Sequence, residues 1–197
     1  MENDINKVFE IGVMKTGTTS LGQALTILGH RTRGWDPETI MKYRESGRDC
    51  EILYEVINRY DAFHDGPWHD YDFTKLDERF PNSKFILLER DDDAWIRSLE
   101  MHTNKKYQNA KEIYQRDDTL DKAVDFWDMG WADPEKFRLD RITWRREKYN
   151  DIKSYFENRP TDLLTMDISE GWEKLCLFLK KEVPTQKFPF ANVTPDV

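Results

Sequence analysis

Val8-Phe9-Glu10-Ile11-Gly12-Val13-Met14-Lys15-Thr16-Gly17-Thr18-Thr19-Ser20-Leu21 is the stretch on which the reading of this chain turns. Val8 to Val13 is a short apolar, β-branched run closed by a glycine-containing turn, which predicts a strand. From Ser20 to Leu28 the residues Leu21, Leu25 and Leu28 recur at helical spacing until Gly29 stops them. The stretch therefore reads as strand, loop, helix. Gly12 and Gly17 have the G-x-x-x-x-G spacing of a Walker A loop. A glycine pair so spaced arises by chance about once in a chain of this size, so its meaning comes from its place. Lys15 and the hydroxyl residues Thr16, Thr18, Thr19 and Ser20 stand where backbone N–H groups and a helix N-terminus hold an anion.

The departure from Walker A is informative. A nucleoside triphosphatase needs a lysine after the second glycine to reach the β- and γ-phosphates, and a hydroxyl with a carboxylate to hold magnesium. Here Thr18 follows Gly17, and the lysine stands two residues ahead of it. A front-mounted Lys15 suits a donor with one 5′-phosphate and no metal.

A second anion motif follows the strand expected at Phe85-Ile86-Leu87-Leu88, where Arg90 stands at the carboxyl end and Ser98 lies on a helix expected from Asp92 to His102. An arginine there points into the ligand crevice of a parallel sheet, and a serine in the second helical turn can face the same anion. The competing reading pairs Arg90 with the acidic run Asp91–Asp93 and leaves Ser98 solvated.

Further helices are expected at Pro37–Glu45, Cys50–Asn58, Thr119–Trp131, Pro134–Phe156 and Trp172–Leu179, with strands at Tyr60–His64 and Leu163–Met166. Strands alternating with helices predict an α/β fold, a three-layer α/β/α arrangement around a central parallel sheet. The length of 197 residues predicts one domain, 1–197, with a polar tail to Lys7 and an irregular tail from Val183. Two cysteines far apart indicate neither a zinc site nor a disulfide framework, and no apolar run approaches a membrane span. A reducing, cytoplasmic setting is expected, and a net charge of −8 argues against nucleic acid as a partner.

Lys15-Thr16-Gly17-Thr18-Thr19-Ser20-Leu21 resembles the 5′-phosphosulfate loop of the sulfotransferases, P-K-[ST]-G-T-T-x-L, with Met14 in place of the usual proline. The Arg90…Ser98 segment is similar to that family's 3′-phosphate motif, and Trp172-Glu173-Lys174-Leu175 with Phe178-Leu179 to its C-terminal helix. The resemblance runs from Val8 to about Asn192 and looks like the compact microbial and fungal branch. It implies 3′-phosphoadenosine 5′-phosphosulfate as co-substrate, no metal, and a small-molecule or glycan acceptor. Ser20 stands where cytosolic members often carry a tryptophan against adenine, which leaves open how adenine is held. An atypical kinase with a P-loop and a non-catalytic nucleotide-binding protein of the same fold are the alternatives.

Transfer to a hydroxyl needs a base within reach of the attacking oxygen. His64-Asp65-Gly66-Pro67-Trp68-His69 supplies three titratable groups at the end of the second expected strand. Histidine has the better intrinsic pKa, which favours His64, whereas the D-x-P turn looks like the base-bearing turn of the compact branch, which favours Asp65. Asp65 leads, with His69 and His102 behind. The aromatics between Asn104 and Trp131 are candidates for a lid, and Arg138, Arg141, Arg145, Arg146 and Lys148 read first as a solvated helix face, with binding of an anionic acceptor or of the nucleotide's 3′-phosphate as the alternative.

Overall fold

In the computed structural model, residues 6–47, 50–114 and 134–191 are described. Five strands, β1 (Val8–Glu10), β2 (Thr32–Arg33), β3 (Ala62–Phe63), β4 (Lys84–Glu89) and β5 (Leu163–Asp167), form one sheet in the order β2-β3-β1-β4-β5. Every pairing is parallel, with Phe9 opposite Phe63 and Phe85, and Phe85 opposite Leu163. β1 occupies the centre, so the loop after it opens at the carboxyl end where an α/β sheet holds its ligands.

Side chains alternate across this sheet as a period of two demands. Val8, Ala62, Ile86, Leu88, Leu164 and Met166 face α1 (Thr18–Ile27) and α7 (Gly171–Leu179), meeting Leu21, Leu25, Leu175 and Leu179 in one cluster. The other face is aromatic. Phe9 stacks on Phe63 at 5.1 Å and on Phe85 at 5.7 Å, and Phe85 meets Phe156 at 4.9 Å. Tyr54 of α3 (Cys50–Ile57) and Phe80, which ends α4 (Phe73–Arg79), extend this layer with ring centroids 5.7 Å apart. β4 is buried on both faces at Phe85, Ile86, Leu87 and Leu88, which is why it reads as a continuous apolar run.

The residues fall into two compact units, Met1–Arg90 with Ile152–Val197, and Asp91–Asp151. The second holds α5 (Asp92–Tyr114) and most of α6 (Pro134–Tyr155). Asp91 caps α5 by accepting from the Ala94 N–H at 2.9 Å. Asp92 accepts from Arg145 and, at 2.8 Å, from Arg146 Nε, while Glu100 takes Arg138 at 2.6 Å and 2.7 Å. The buried Arg145 also lies 4.6 Å over the Trp95 ring. Three arginines expected on a solvated face thus clamp two helices together.

Differences from the expected elements are local. β1 stops at Glu10 because the Gly12 N–H turns to the Glu10 carboxylate at 2.8 Å and leaves the ladder. α5 runs on to Tyr114 because no glycine or proline interrupts it. β2, two residues long, and α4, capped by Asp72 through Thr74 N at 3.0 Å, were not anticipated. The helix expected at Thr119–Trp131 lies outside the described residues, as do the side chains of the proposed lid. α2 (Pro37–Glu45) has its expected bounds, and the tail beyond Lys180 is irregular but pinned, with Trp172 Nε1 donating to Gln186 O at 2.8 Å. Among the described residues no helix is long and apolar enough to cross a membrane.

Truncating the aromatic layer tests this packing. Phe85, 0% exposed, should lose about 3–5 kcal/mol on Phe85→Ala. Leu177→Ala, at an 83% exposed position, should change stability by no more than about 0.5 kcal/mol in urea unfolding.

Candidate active site

The loop between β1 and α1 is built on two left-handed residues, Lys15 at φ +70° and Gly17 at φ +108°. Only glycine fits the second, because a Cβ there would stand 3.0 Å from the Ile168 Cβ in a conformation that L side chains rarely adopt. The buried Thr16 hydroxyl donates to Val13 O at 2.8 Å and staples the loop from inside. Asp36 and Asp72 cap α2 and α4 with their side chains, but α1 starts on a glycine and carries no acidic residue in its first turn. Its N-terminal N–H groups and dipole therefore meet no carboxylate of the first turn and suit an external anion.

Arg90 follows β4 and donates from Nη1 to the Lys15 carbonyl at 2.8 Å. A guanidinium carries five N–H donors, so this bond is compatible with a second role toward a phosphate. Within the acidic run beside Arg90, Asp91 caps α5 and Asp92 meets Arg145 and Arg146. Ser98, 4% exposed, belongs to α5 in the second unit, as does His102. Ser20 is buried, and its hydroxyl accepts from the Ala191 N–H at 2.9 Å, so it ties the C-terminal tail to α1.

At the neighbouring carboxyl end of β3 the chain enters the turn that holds Asp65. Asp65 has φ +66°, a conformation aspartate tolerates better than most residues, and its carboxylate accepts from Gly66 N at 2.9 Å. Its carbonyl accepts from Trp68 N at 3.0 Å and His69 N at 3.3 Å. Residues 34–36 brace the turn from β2, with Trp68 Nε1 donating to Gly34 O at 3.0 Å and Asp36 N to Gly66 O at 3.1 Å. The Asp65 side chain is 26% exposed, whereas His69 is buried, its Nδ1 3.9 Å from carboxylate oxygens of both Asp65 and Glu10.

His64 points elsewhere. A Cβ at Gly22 would stand 2.1 Å from its Nε2, and one at Gly34 2.6 Å from its Cε1, so the imidazole fills a slot that exists only because both residues are glycine. Its Nδ1 is buried without a hydrogen-bond partner among the described residues. Glu10 is a residue that the sequence reading quoted without giving it a role. It is 0% exposed, accepts from Gly12 N at 2.8 Å, and takes a long contact from Asp65 N at 3.4 Å. The available signal was a carboxylate inside an apolar run, since a central parallel strand buried on both faces has no ordinary place for one.

The sulfotransferase domain family matches residues 7–197. The chain belongs to the sulfotransferase family. No curated protein matches it. The match spans both units of this sulfotransferase domain, and it agrees with the parallel sheet. A groove of about 880 Å³ opens at the amino ends of β4 and β5, lined by Ser83, Lys84, Arg159, Asp162 and Phe178. It lies at the wrong end of the strands for an α/β ligand site. Among the described residues no three His, Cys, Asp or Glu side chains group as for a metal.

The pH dependence of stability follows from the buried histidines. Burial lowers the pKa of His64, with Asp65 opposing and His69 reinforcing the shift, and burial with Lys181 lowers that of His30. Both groups resist protonation when folded, so the unfolded chain takes up protons first. Stability is then full above the ordinary histidine pKa of about 6.5 and declines as pH falls through it. Asp61, held at about 2 by Arg31, keeps its contribution throughout that window. The melting temperature should fall between about pH 7.5 and 5.5, and a His64→Gln variant should show a shallower fall in calorimetry. An unchanged slope would contradict the burial of a neutral His64.

Proposed function

We propose that this sulfotransferase moves a sulfuryl group from 3′-phosphoadenosine 5′-phosphosulfate to a hydroxyl or amine of a small-molecule or glycan acceptor. The observation that carries the reading is the contact of Arg90 with Lys15 O, which places an arginine beside a loop whose helix opens without a capping carboxylate. Lys15 and the N–H groups of Thr18 and Thr19 receive the 5′-phosphate, and Arg90 receives the 3′-phosphate. Thr16 serves through its backbone, because its hydroxyl donates to Val13 O, whereas the Ser20 hydroxyl accepts from Ala191 N and keeps its own O–H for a phosphate. No step needs a metal, since Lys15 stands where charge develops and Thr18 replaces the lysine of a triphosphatase.

The bound co-substrate supplies an activated sulfuryl group on a 5′-phosphate leaving group. The acceptor oxygen attacks sulfur, the bond from sulfur to the phosphate oxygen breaks, and its electron pair stays on the phosphate. Lys15 stabilises that charge. Asp65 takes the acceptor proton in preference to His64, because its carboxylate reaches the surface of the turn while the His64 ring is held between two glycines.

Nucleotide binding separates this reading from a kinase. With EDTA present, 3′-phosphoadenosine 5′-phosphate should raise the melting temperature, as any ligand of the native state does, and Mg-ATP, tested without EDTA, should raise it less. Arg90→Ala should weaken this nucleotide more than adenosine 5′-phosphate in isothermal titration, because a charge-assisted pair is lost only from the first. Equal or greater stabilisation by Mg-ATP would favour phosphoryl transfer, and a binder without turnover would point to a non-catalytic protein.

Kinetics separate the catalytic roles. Lys15→Ala should lower kcat by about 10²-fold or more with modest loss of donor affinity. Asp65→Asn should remove about 10²- to 10⁴-fold and leave donor binding intact, with His64→Asn changing little. A silent Asp65→Asn beside an inactive His64→Asn would move the base to His64.

A further inference from the structure

Two loops must act together in the proposed reaction, the phosphate loop after β1 and the Asp65 turn after β3, and they are far apart in sequence. One buried carboxylate touches both. Glu10, the last residue of β1, is 0% exposed and accepts from the Gly12 N–H at 2.8 Å, the first residue of the loop. Its other oxygen, Oε2, receives the Asp65 N–H at 3.4 Å and lies 3.9 Å from His69 Nδ1. The first contact is a full hydrogen bond, whereas the second is longer than an ordinary N–H···O bond and the third is longer still. Glu10 is thus anchored on the phosphate loop and reaches for the backbone of the turn.

A carboxylate withdrawn from water needs such donors, because burial without them costs more than the fold gains from a strand residue. A valine or isoleucine at position 10 would satisfy the sheet equally well, and it could not link Gly12 to Asp65. The link is directional: it faces the main-chain N–H of Asp65, so tightening it would draw on the backbone from which the Asp65 carboxylate projects. The left-handed φ of +66° at Asp65 leaves the turn dependent on contacts that hold its backbone.

Resting on the sulfotransferase reading with Asp65 as base, we infer that Glu10 is a positioning residue that couples occupancy of the phosphate loop to placement of Asp65. Filling the loop moves the Gly12 N–H, the Glu10 carboxylate follows, and the contact with Asp65 N shortens. Apo hydrogen bonds of catalytic groups are commonly long and tighten only in the complex. Glu10→Gln keeps the size and removes one of the two acceptors, so it breaks the link at one end.

Two measurements test this, one of which does not need turnover. In 1H–15N spectra of the full chain, 3′-phosphoadenosine 5′-phosphate should shift the amides of the loop and also those of Asp65 and Gly66. In Glu10→Gln the loop amides should still shift and the Asp65 and Gly66 amides should not. In kinetics, Glu10→Gln should lower kcat by roughly 10- to 100-fold, the scale for misplacing a catalytic group, with the donor KM changed much less. In an Asp65→Asn background it should lower kcat no further, because groups acting as one unit are not additive. Multiplicative losses, a normal kcat in Glu10→Gln, or Asp65 shifts that survive the substitution would each overturn the coupling. If Glu10→Gln fails to fold, the wild-type titration decides, and loop shifts without any at Asp65 and Gly66 count against it. Wild-type protein that binds the nucleotide but transfers no sulfuryl group would defeat the sulfotransferase reading, while the amide shifts still judge the coupling.

Discussion

The turn from β1 into α1 is the constraint on which the rest of the site depends. A chain leaving the central strand of a parallel sheet must reverse direction within a few residues and start a helix that packs back on the sheet. Here it does so through left-handed residues at Lys15 and Gly17, and the second tolerates no side chain because Ile168 fills the space. The reversal brings the start of α1 to the carboxyl end of the sheet, where the helix begins on glycine and has no carboxylate in its first turn. The same geometry that closes the βα unit therefore creates the positive pole that an anionic donor requires.

A loop so built needs support, and the support comes from groups that are distant in sequence. Thr16 staples it to Val13, the Arg90 guanidinium holds the Lys15 carbonyl, and the Glu10 carboxylate holds the Gly12 N–H. Behind it Ser20 fastens the C-terminal tail through Ala191 N. Each contact uses a polar group with little access to water, where a hydrogen bond is strong and its loss is expensive. Thr16 and Arg90 thus hold the loop around Lys15 before any ligand arrives, which favours electrostatic stabilisation with little reorganisation, while the Gly12 N–H keeps the small movement that the Glu10 coupling needs.

How much of this could be read from the residues depended on range. β1, the loop, α1, β4 and α7 follow from short-range pattern, because apolar spacing and glycine placement are local signals. β2 and α4 escaped because two residues carry no periodicity and a seven-residue helix buries chiefly Leu76. The contacts of Glu10 were invisible in the sequence because its second partner, Asp65, follows another strand. His64 and Asp65 stand side by side as candidates in the sequence for the same reason: the slot around His64 is made by Gly22 and Gly34, whose proximity only the folded sheet provides. Arg90 had two readings, anion ligand or partner of its acidic neighbours, because its contact with the Lys15 carbonyl and the bond of Asp92 with Arg145 join residues far apart in sequence.

A crystal structure with 3′-phosphoadenosine 5′-phosphate bound is the most direct test of the central claim that the loop and Arg90 form one donor site. The 5′-phosphate should lie against the N–H groups of Thr18 and Thr19 with Lys15 beside it, and the 3′-phosphate should meet Arg90. A nucleotide seated in the groove at the amino ends of β4 and β5, or one whose 3′-phosphate lies away from Arg90, would contradict it.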